Sequence, residues 1–122
     1  MANPHRGRRT GILTLKRTSE FKKVYEEGRF FSSRHLTVYA LFTGPRTRFG
    51  FSVSGKVGTS VVRNRFKRLL RECCRALCMG MRGGHDVVFM VRRRRFSYAE
   101  VPTLRTLLDE ASSLFRKAGL LA

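Results

Sequence analysis

The sequence predicts an α+β fold, a single-domain α/β sandwich with a mixed sheet of about four strands and three helices. Three observations predict it. Apolar residues recur at helical spacing in three separate stretches, alternate with period two between Arg29 and Ser54, and run unbroken from Val87 to Val91. The order is helix, two or three strands, helix, strand, helix, which puts helices against the faces of one sheet. At 122 residues the chain falls in the usual single-domain range of roughly 100–200 residues. A chain of this size buries about two-thirds of its unfolded surface, enough for one core without metals or disulfides.

Residues 1–16 hold Arg, Gly and Pro without hydrophobic period and are read as a basic N-terminal arm, mobile unless bound. Residues 17–122 are read as the domain. Thr18-Ser19-Glu20 offers an N-cap and a negative first turn, Phe21, Val24 and Tyr25 follow at helical spacing, and Gly28 supplies the stop. Phe30-Phe31-Ser32 offers a short strand. In Leu36–Phe42, Val38, Ala40 and Phe42 share one face and Thr37, Tyr39 and Leu41 the other. Gly44-Pro45 marks a turn, and Arg48–Ser54 alternates again with Phe49, Phe51 and Val53 together.

Residues 60–78 form the best-defined element. Val62, Phe66, Leu69, Leu70, Cys73 and Leu77 fall within an arc roughly 100° wide at about 100° per residue, the mark of a helix with one buried face. Thr59 or Ser60 can cap it and Gly80 can end it. His85–Val91 reads as a central strand buried on both faces. Ser97-Tyr98-Ala99-Glu100 is a capping box, with Pro102 placed to break off that turn or restart the helix. Val101, Leu104, Leu107, Leu108, Ala111, Leu114 and Ala118 trace a last helix that Gly119 can end.

Charge is the strongest global signal. Lys and Arg number 26 against 8 acids, a net charge of +18. Solubility needs a charge of only about 2–8 in a small domain, so the excess points to a polyanionic partner: nucleic acid ahead of an anionic membrane. No apolar run approaches the roughly 18 residues that cross a bilayer, and Met1–Arg9 lacks the apolar segment of a secretory signal. Cys73, Cys74 and Cys78 are clustered, odd in number and fit no zinc spacing. They read as reduced helix residues of a cytoplasmic protein.

Two constellations carry chemistry. On the 60–78 helix, Arg63, Arg65, Lys67, Arg68, Arg71 and Arg75 face a single acid, Glu72. Like charges four residues apart weaken an isolated helix by a few tenths of about 1 kcal/mol per pair. Phosphate contact explains their retention, because arginine forks match phosphate oxygens and counterion release supplies affinity. Asn64 projects from the same face and can read a base edge or a sugar. The second constellation is Phe21, Tyr25 and Tyr39, aromatics that can either pack the core or stack unpaired bases. By contrast, Gly50–Lys56 spells G-x-x-x-x-G-K but has Val57 where a nucleotide loop needs Ser or Thr. Its middle alternates as a strand does, so it is no nucleotide loop. No paired carboxylates or nucleophile signature suggest a protein catalytic site.

The block Phe51–Glu72, centred on Arg63-Asn64-Arg65 with Lys67-Arg68 and Arg71, resembles the signature of the bacterial ribonuclease P protein subunit. Leu15-Lys16 with Phe21–Tyr25 and Gly28, Asp86–Arg92, and Leu114–Lys117 resemble that family's first helix, last strand and closing helix. The resemblance covers about residues 12–118. It implies a left-handed strand–helix–strand crossover from the Phe49 strand through the basic helix to the Val87 strand, a hand that is rare. It also implies a protein that works with a catalytic RNA cleaving precursor tRNA at the mature 5′ end, the RNA and its Mg2+ performing the hydrolysis. No protein partner and no membrane are implied.

Carried over by position, Arg63, Asn64, Arg65 and Lys67 would contact the RNA subunit. Phe21, Tyr25, Tyr39, Ser52, Ser54, Lys56, Arg68 and Arg71 would line a cleft for the single-stranded 5′ leader. Gly55 stands where many relatives carry a lysine, and Tyr25 where Phe is common. The competing expectation is a structural RNA-binding module such as a small ribosomal protein, which shares the charge and size.

Overall fold

The unbroken apolar run at Val87–Val91 lies in the middle strand of the sheet. The computed structural model describes residues 12–44 and 46–121. Its strands are β1 (Leu13–Thr14), β2 (Arg29–Ser32), β3 (Leu36–Phe42), β4 (Arg48–Ser52) and β5 (His85–Val91), in spatial order β1-β4-β5-β3-β2. β1 and β5 run parallel to β4, while β3 is antiparallel to β5 and β2, so the sheet is mixed. The helices are α1 (Thr18–Glu27), α2 (Ser60–Leu77) and α3 (Leu104–Lys117).

Strand alternation sorts the side chains into two layers. Leu36, Val38, Ala40, Phe49, Val87, Phe89 and Val91 pack with α2 and α3 in the main core. The opposite face carries Val88 with Tyr39 and Leu41, covered by Val24, Phe21 and Tyr25 of α1 and by Leu15. Thus α1 lies on one side of the sheet and α2 and α3 on the other. The last strand is buried on both faces, as its composition predicts.

Five strands stand where about four were expected, and the addition is β1. Leu13 and Thr14 pair with Arg48 and Phe49, the Leu15 N–H donates to the Phe49 carbonyl at 2.7 Å, and Leu15 is buried. Residues 13–15 of the expected arm therefore belong to the sheet. A strand of two residues is too short to show alternation, so only its pairing reveals it. Residues 1–11 of the arm, and Pro45 of the expected turn, lie outside the described residues.

Other boundaries shift for local reasons. Arg17 occupies the N-cap of α1 in place of Thr18 or Ser19, and Glu20 supplies the cap by accepting the Lys16 and Arg17 N–H groups at 3.0 Å each. Gly28 caps α1 in extended backbone, and only glycine fits there, because a Cβ would sit 2.6 Å from the Val24 carbonyl oxygen and 2.9 Å from that of Ala40. β4 stops at Ser52 and not Ser54, and a 3-10 turn follows at Gly55–Val57. Thr59 caps α2 by accepting the Val62 N–H at 3.3 Å. Cys74 is buried beside the expected apolar arc, which widens it. Burial pushes the Cys73 thiol up to about 12 and Cys74 well up from its usual value, so both stay protonated packing groups. The Ser97–Glu100 box forms its own 3-10 turn, and α3 restarts on a Thr103 cap. Gly119, at φ +79°, closes α3.

Two polar ties hold the layers in place. Arg48 on β4 donates to Asp86 of β5 at 3.0 and 2.8 Å and to Glu20 of α1 at 2.8 Å. Asp86 is buried, and this pairing satisfies it. On the other side of the sheet, Glu110 of α3 accepts from the Ser33 hydroxyl and the His35 N–H, and pairs with the His35 ring at 2.5 Å, tying the β2–β3 turn to α3.

The Glu20 tie has a pH signature. Hydrogen bonds from the Arg17 and Lys16 backbone, reinforced by Arg48, lower its carboxyl to about 2 from 4.5. Between these values the unfolded chain binds the extra proton, so the contribution of Glu20 to stability is full above about 4.5 and is lost as pH falls towards about 2. Glu20→Gln is expected to flatten the acid limb of the stability–pH curve in that window. Parallel wild-type and variant curves in urea unfolding from about pH 5 to about pH 2 would show that the tie is not made.

Candidate nucleic-acid interface

The register builds a cleft on the α1 side of the sheet. Gly50, Val88, Tyr39 and Phe30 form one cross-strand row, and Ser52, Met90, Thr37 and Ser32 the next. Phe21 lies over Gly50 so closely that a Cβ would come within 2.7 Å of its ring, which is why that strand position is glycine. Tyr25 follows, 6.5 Å from Phe21 and edge-on to Tyr39 at 4.9 Å. Phe30 continues the series 5.7 Å from Tyr39 and is 65% exposed. The second row is polar apart from Met90, with the Ser32 and Thr37 hydroxyls 2.9 Å apart. The result is an aromatic wall beside a shelf of hydroxyls.

The core-packing alternative for the aromatics is met, and their exposed edges leave room for the other. Phe21, Tyr25 and Tyr39 pack a small core around Val24 and Val88, and each keeps a partly exposed edge. Phe30 and Thr37 were not among the expected site residues. The exposed aromatic on a strand opposite Tyr39 was the signal for Phe30, but it needs the β2–β3 register to be seen.

The second surface is the outer face of α2. Arg63, Lys67, Arg71 and Arg75 descend one flank at four-residue intervals. Arg63 Nε donates to the Gly58 carbonyl at 3.1 Å, and Arg71 lies 5.4 Å from the Phe51 ring. Glu72 pairs with Arg75. Among the described residues, no carboxylate lies within ion-pair reach of Arg63, Arg65, Lys67, Arg68 or Arg71. Asn64, Arg65 and Arg68 occupy the other flank around Tyr98, with the Arg65 guanidinium 5.6 Å from its ring.

The structure therefore divides the expected leader-binding set. Phe21, Tyr25, Tyr39 and Ser52 share the cleft. Ser54 lies past the end of β4, where its hydroxyl accepts the Lys56 N–H at 3.1 Å, and Lys56 is exposed on that turn. Arg68 and Arg71 stand on the opposite layer from the cleft. Arg68 joins Asn64 and Arg65, while Arg71 reaches the part of β4 that β1 leaves without a partner on that side. Helical periodicity separates the buried face of α2 from its exposed face, but it does not say which flank borders which strand.

Among the described residues no three His, Cys, Asp or Glu side chains gather as metal ligands. Five of the eight acids pair with basic side chains of the core ties and helix ends: Glu20 and Asp86 with Arg48, Glu110 with His35, Glu100 with Arg94 and Glu72 with Arg75. The donor set does not fit a resident Mg2+ ion.

The family model described as Ribonuclease P matches residues 12–119. The chain belongs to the ribonuclease P protein family. A ribonuclease P protein component from Caldanaerobacter subterraneus subsp. tengcongensis is 43% identical over 103 residues, covering 84% of this chain and 88% of the relative. One from Clostridium acetobutylicum is 38% identical over 113 residues, covering 87% and 88%. The fold is similar to that of the RNase P protein of Staphylococcus aureus, with a TM-score of 0.77 at 23% identity over 89% of this chain and 97% of the other. It is also similar to that of Thermotoga maritima, with a TM-score of 0.76 at 24% identity over 85% and 96%. As a ribonuclease P protein, the chain has no described helix long and apolar enough to cross a membrane.

Proposed function

We propose that this chain is the protein cofactor of a ribonuclease P ribonucleoprotein, binding its RNA subunit and the 5′ leader of precursor tRNA during 5′-end maturation in the cytoplasm. The observation that carries the reading is the cationic face of α2 in a chain of this family: five basic side chains with no carboxylate in reach among the described residues. Arg63, Asn64, Arg65 and Lys67 would hold the RNA subunit through phosphate and sugar. The Phe21–Tyr25–Tyr39 wall and the Ser52 shelf would take the leader, an unpaired strand whose bases stack without strong sequence preference. Lys56 and Arg71, at the β4 end, would continue the phosphate path.

Hydrolysis would fall to the RNA subunit with Mg2+ bound to RNA, as the family resemblance implies. The protein's part is to bind, orient and screen charge. A structural module such as a ribosomal protein is not favoured, because the family match spans residues 12–119.

The test is cleavage of a leader-bearing precursor tRNA by a bacterial ribonuclease P RNA at low magnesium, with and without this protein. Stimulation is expected, and the protein alone should leave the precursor intact. No stimulation with any such RNA would remove the reading. Tyr39→Ala is expected to weaken precursor tRNA by about 5- to 150-fold, one stacked base, and mature tRNA far less. Equal losses for the two would return Tyr39 to core packing alone.

A further inference from the structure

The turn after β5 places an exposed aromatic against the α2 cations on the side away from the cleft. Tyr98 is 56% exposed and Val61, the second residue of α2, is 62% exposed. Together they form an apolar ridge with a hollow on each side. The hollow towards the helix is lined by Val61, Asn64, Arg65, Arg68 and Tyr98 and measures about 270 Å³. The hollow on the other side holds Glu100. Hydrogen bonds from Ser97 hold the Glu100 carboxyl below its usual value, so that hollow, also lined by Arg95, is mixed in charge.

Tyr98 is held in place. Phe96 is buried against Phe66 at 5.0 Å, and its N–H donates to the Val57 carbonyl at 2.8 Å. The Ser97–Glu100 capping box then fixes the turn that carries the ring. A protruding tyrosine on a rigid turn orders little on binding, which favours its use as a contact.

We infer that the Tyr98–Val61 ridge is a seat for one unpaired nucleobase of the ribonuclease P RNA subunit, with Arg65 and Arg68 taking its flanking phosphates. The inference rests on the reading that α2 meets the RNA subunit. Three features single out this occupant. The hollow falls just below the roughly 300–1,000 Å³ range of small-molecule pockets, which suits a single flipped-out base and not a duplex. Its charged lining is wholly cationic, which matches a phosphodiester. Its aromatic face and the Asn64 amide supply stacking and a base-edge contact, which a phosphate alone would not use. The Arg65 guanidinium lies over the Tyr98 ring, 5.6 Å from its centroid, so a base stacking on that face displaces it towards a flanking phosphate.

The experiment measures binding of the full chain to ribonuclease P RNA, and separately to precursor tRNA, across a salt series. Tyr98→Ala is expected to lose about 5- to 150-fold for the RNA subunit with the salt slope unchanged, because no phosphate contact is removed. Tyr98→Phe should bind as wild type. At saturating protein, wild type and Tyr98→Phe should protect one unpaired base from chemical modification that Tyr98→Ala leaves reactive. Binding of Tyr98→Ala within twofold of wild type, or unchanged protection, would overturn the seat. An equal loss for precursor tRNA alone would overturn its assignment to the RNA subunit. If Arg63 and Arg65 prove dispensable for RNA-subunit binding, the α2 reading itself falls. If only Tyr98 proves silent, the seat falls and that reading stands.

Discussion

Phe89→Ala is expected to destabilise the fold by about 3–5 kcal/mol, the range for a fully buried aromatic cut to alanine. Phe89 has no exposed surface and sits on the central strand. Its ring stacks on Phe51 at 6.0 Å, lies 6.5 Å from Phe49 and contacts Phe115 of α3 at 5.4 Å. The strand is held on both sides by β4 and β3, so it cannot shift to fill the cavity. Against a total stability of about 5–15 kcal/mol for a domain, this brings the protein near unfolding at room temperature. The denaturant midpoint should fall with the slope unchanged. Phe42→Ala, at a residue 70% exposed on β3, should change stability by no more than about 0.5 kcal/mol. A Phe89→Ala loss under about 1 kcal/mol would mean that the two layers do not meet through this ring.

Replacing Arg63 and Arg65 together with glutamine is expected to weaken RNA-subunit binding by about 10²- to 10⁴-fold, taking charged hydrogen bonds at about 1.5–3 kcal/mol each. Its salt slope should flatten by about 0.9 log units for each lost phosphate contact, using the duplex value. Stability should change little, because loss of the Arg63 hydrogen bond to the Gly58 carbonyl opposes relief of charge repulsion. Arg63 repels Lys67 four residues on, and relief of a like-charge pair is worth a few tenths of about 1 kcal/mol. Neither side chain belongs to the buried set of α2. An RNA affinity that falls while thermal stability holds separates contact from fold. An unchanged salt slope would count against phosphate contact at these positions.

The α2 helix was legible in almost every respect: its start at Thr59, its apolar arc and its cationic face all follow from period and composition. The cleft was legible only in part. Alternation put Tyr39 on the face away from Val38, but the row that joins it to Phe30 depends on β2–β3 register. Arg48 read as an ordinary strand residue, and its tie to Asp86 and Glu20 spans 38 and 28 positions. Arg68 read as a neighbour of the leader cleft, whereas the sheet stands between them. Tyr98 carried no signal beyond its place in a capping box.

By itself the sequence determined the types of the three helices and four of the strands, the central position of β5, the nucleic-acid partner and the family. Those properties are written in local period, net charge and short-range motif, which depend on neighbours a few positions apart. Only the tertiary structure decided that β1 closes the sheet edge, that α1 and α2 lie on opposite layers, and which cations share a surface. These depend on strand pairing and on how each helix rolls against the sheet. The energies that set them act between residues dozens of positions apart, and no local pattern records them.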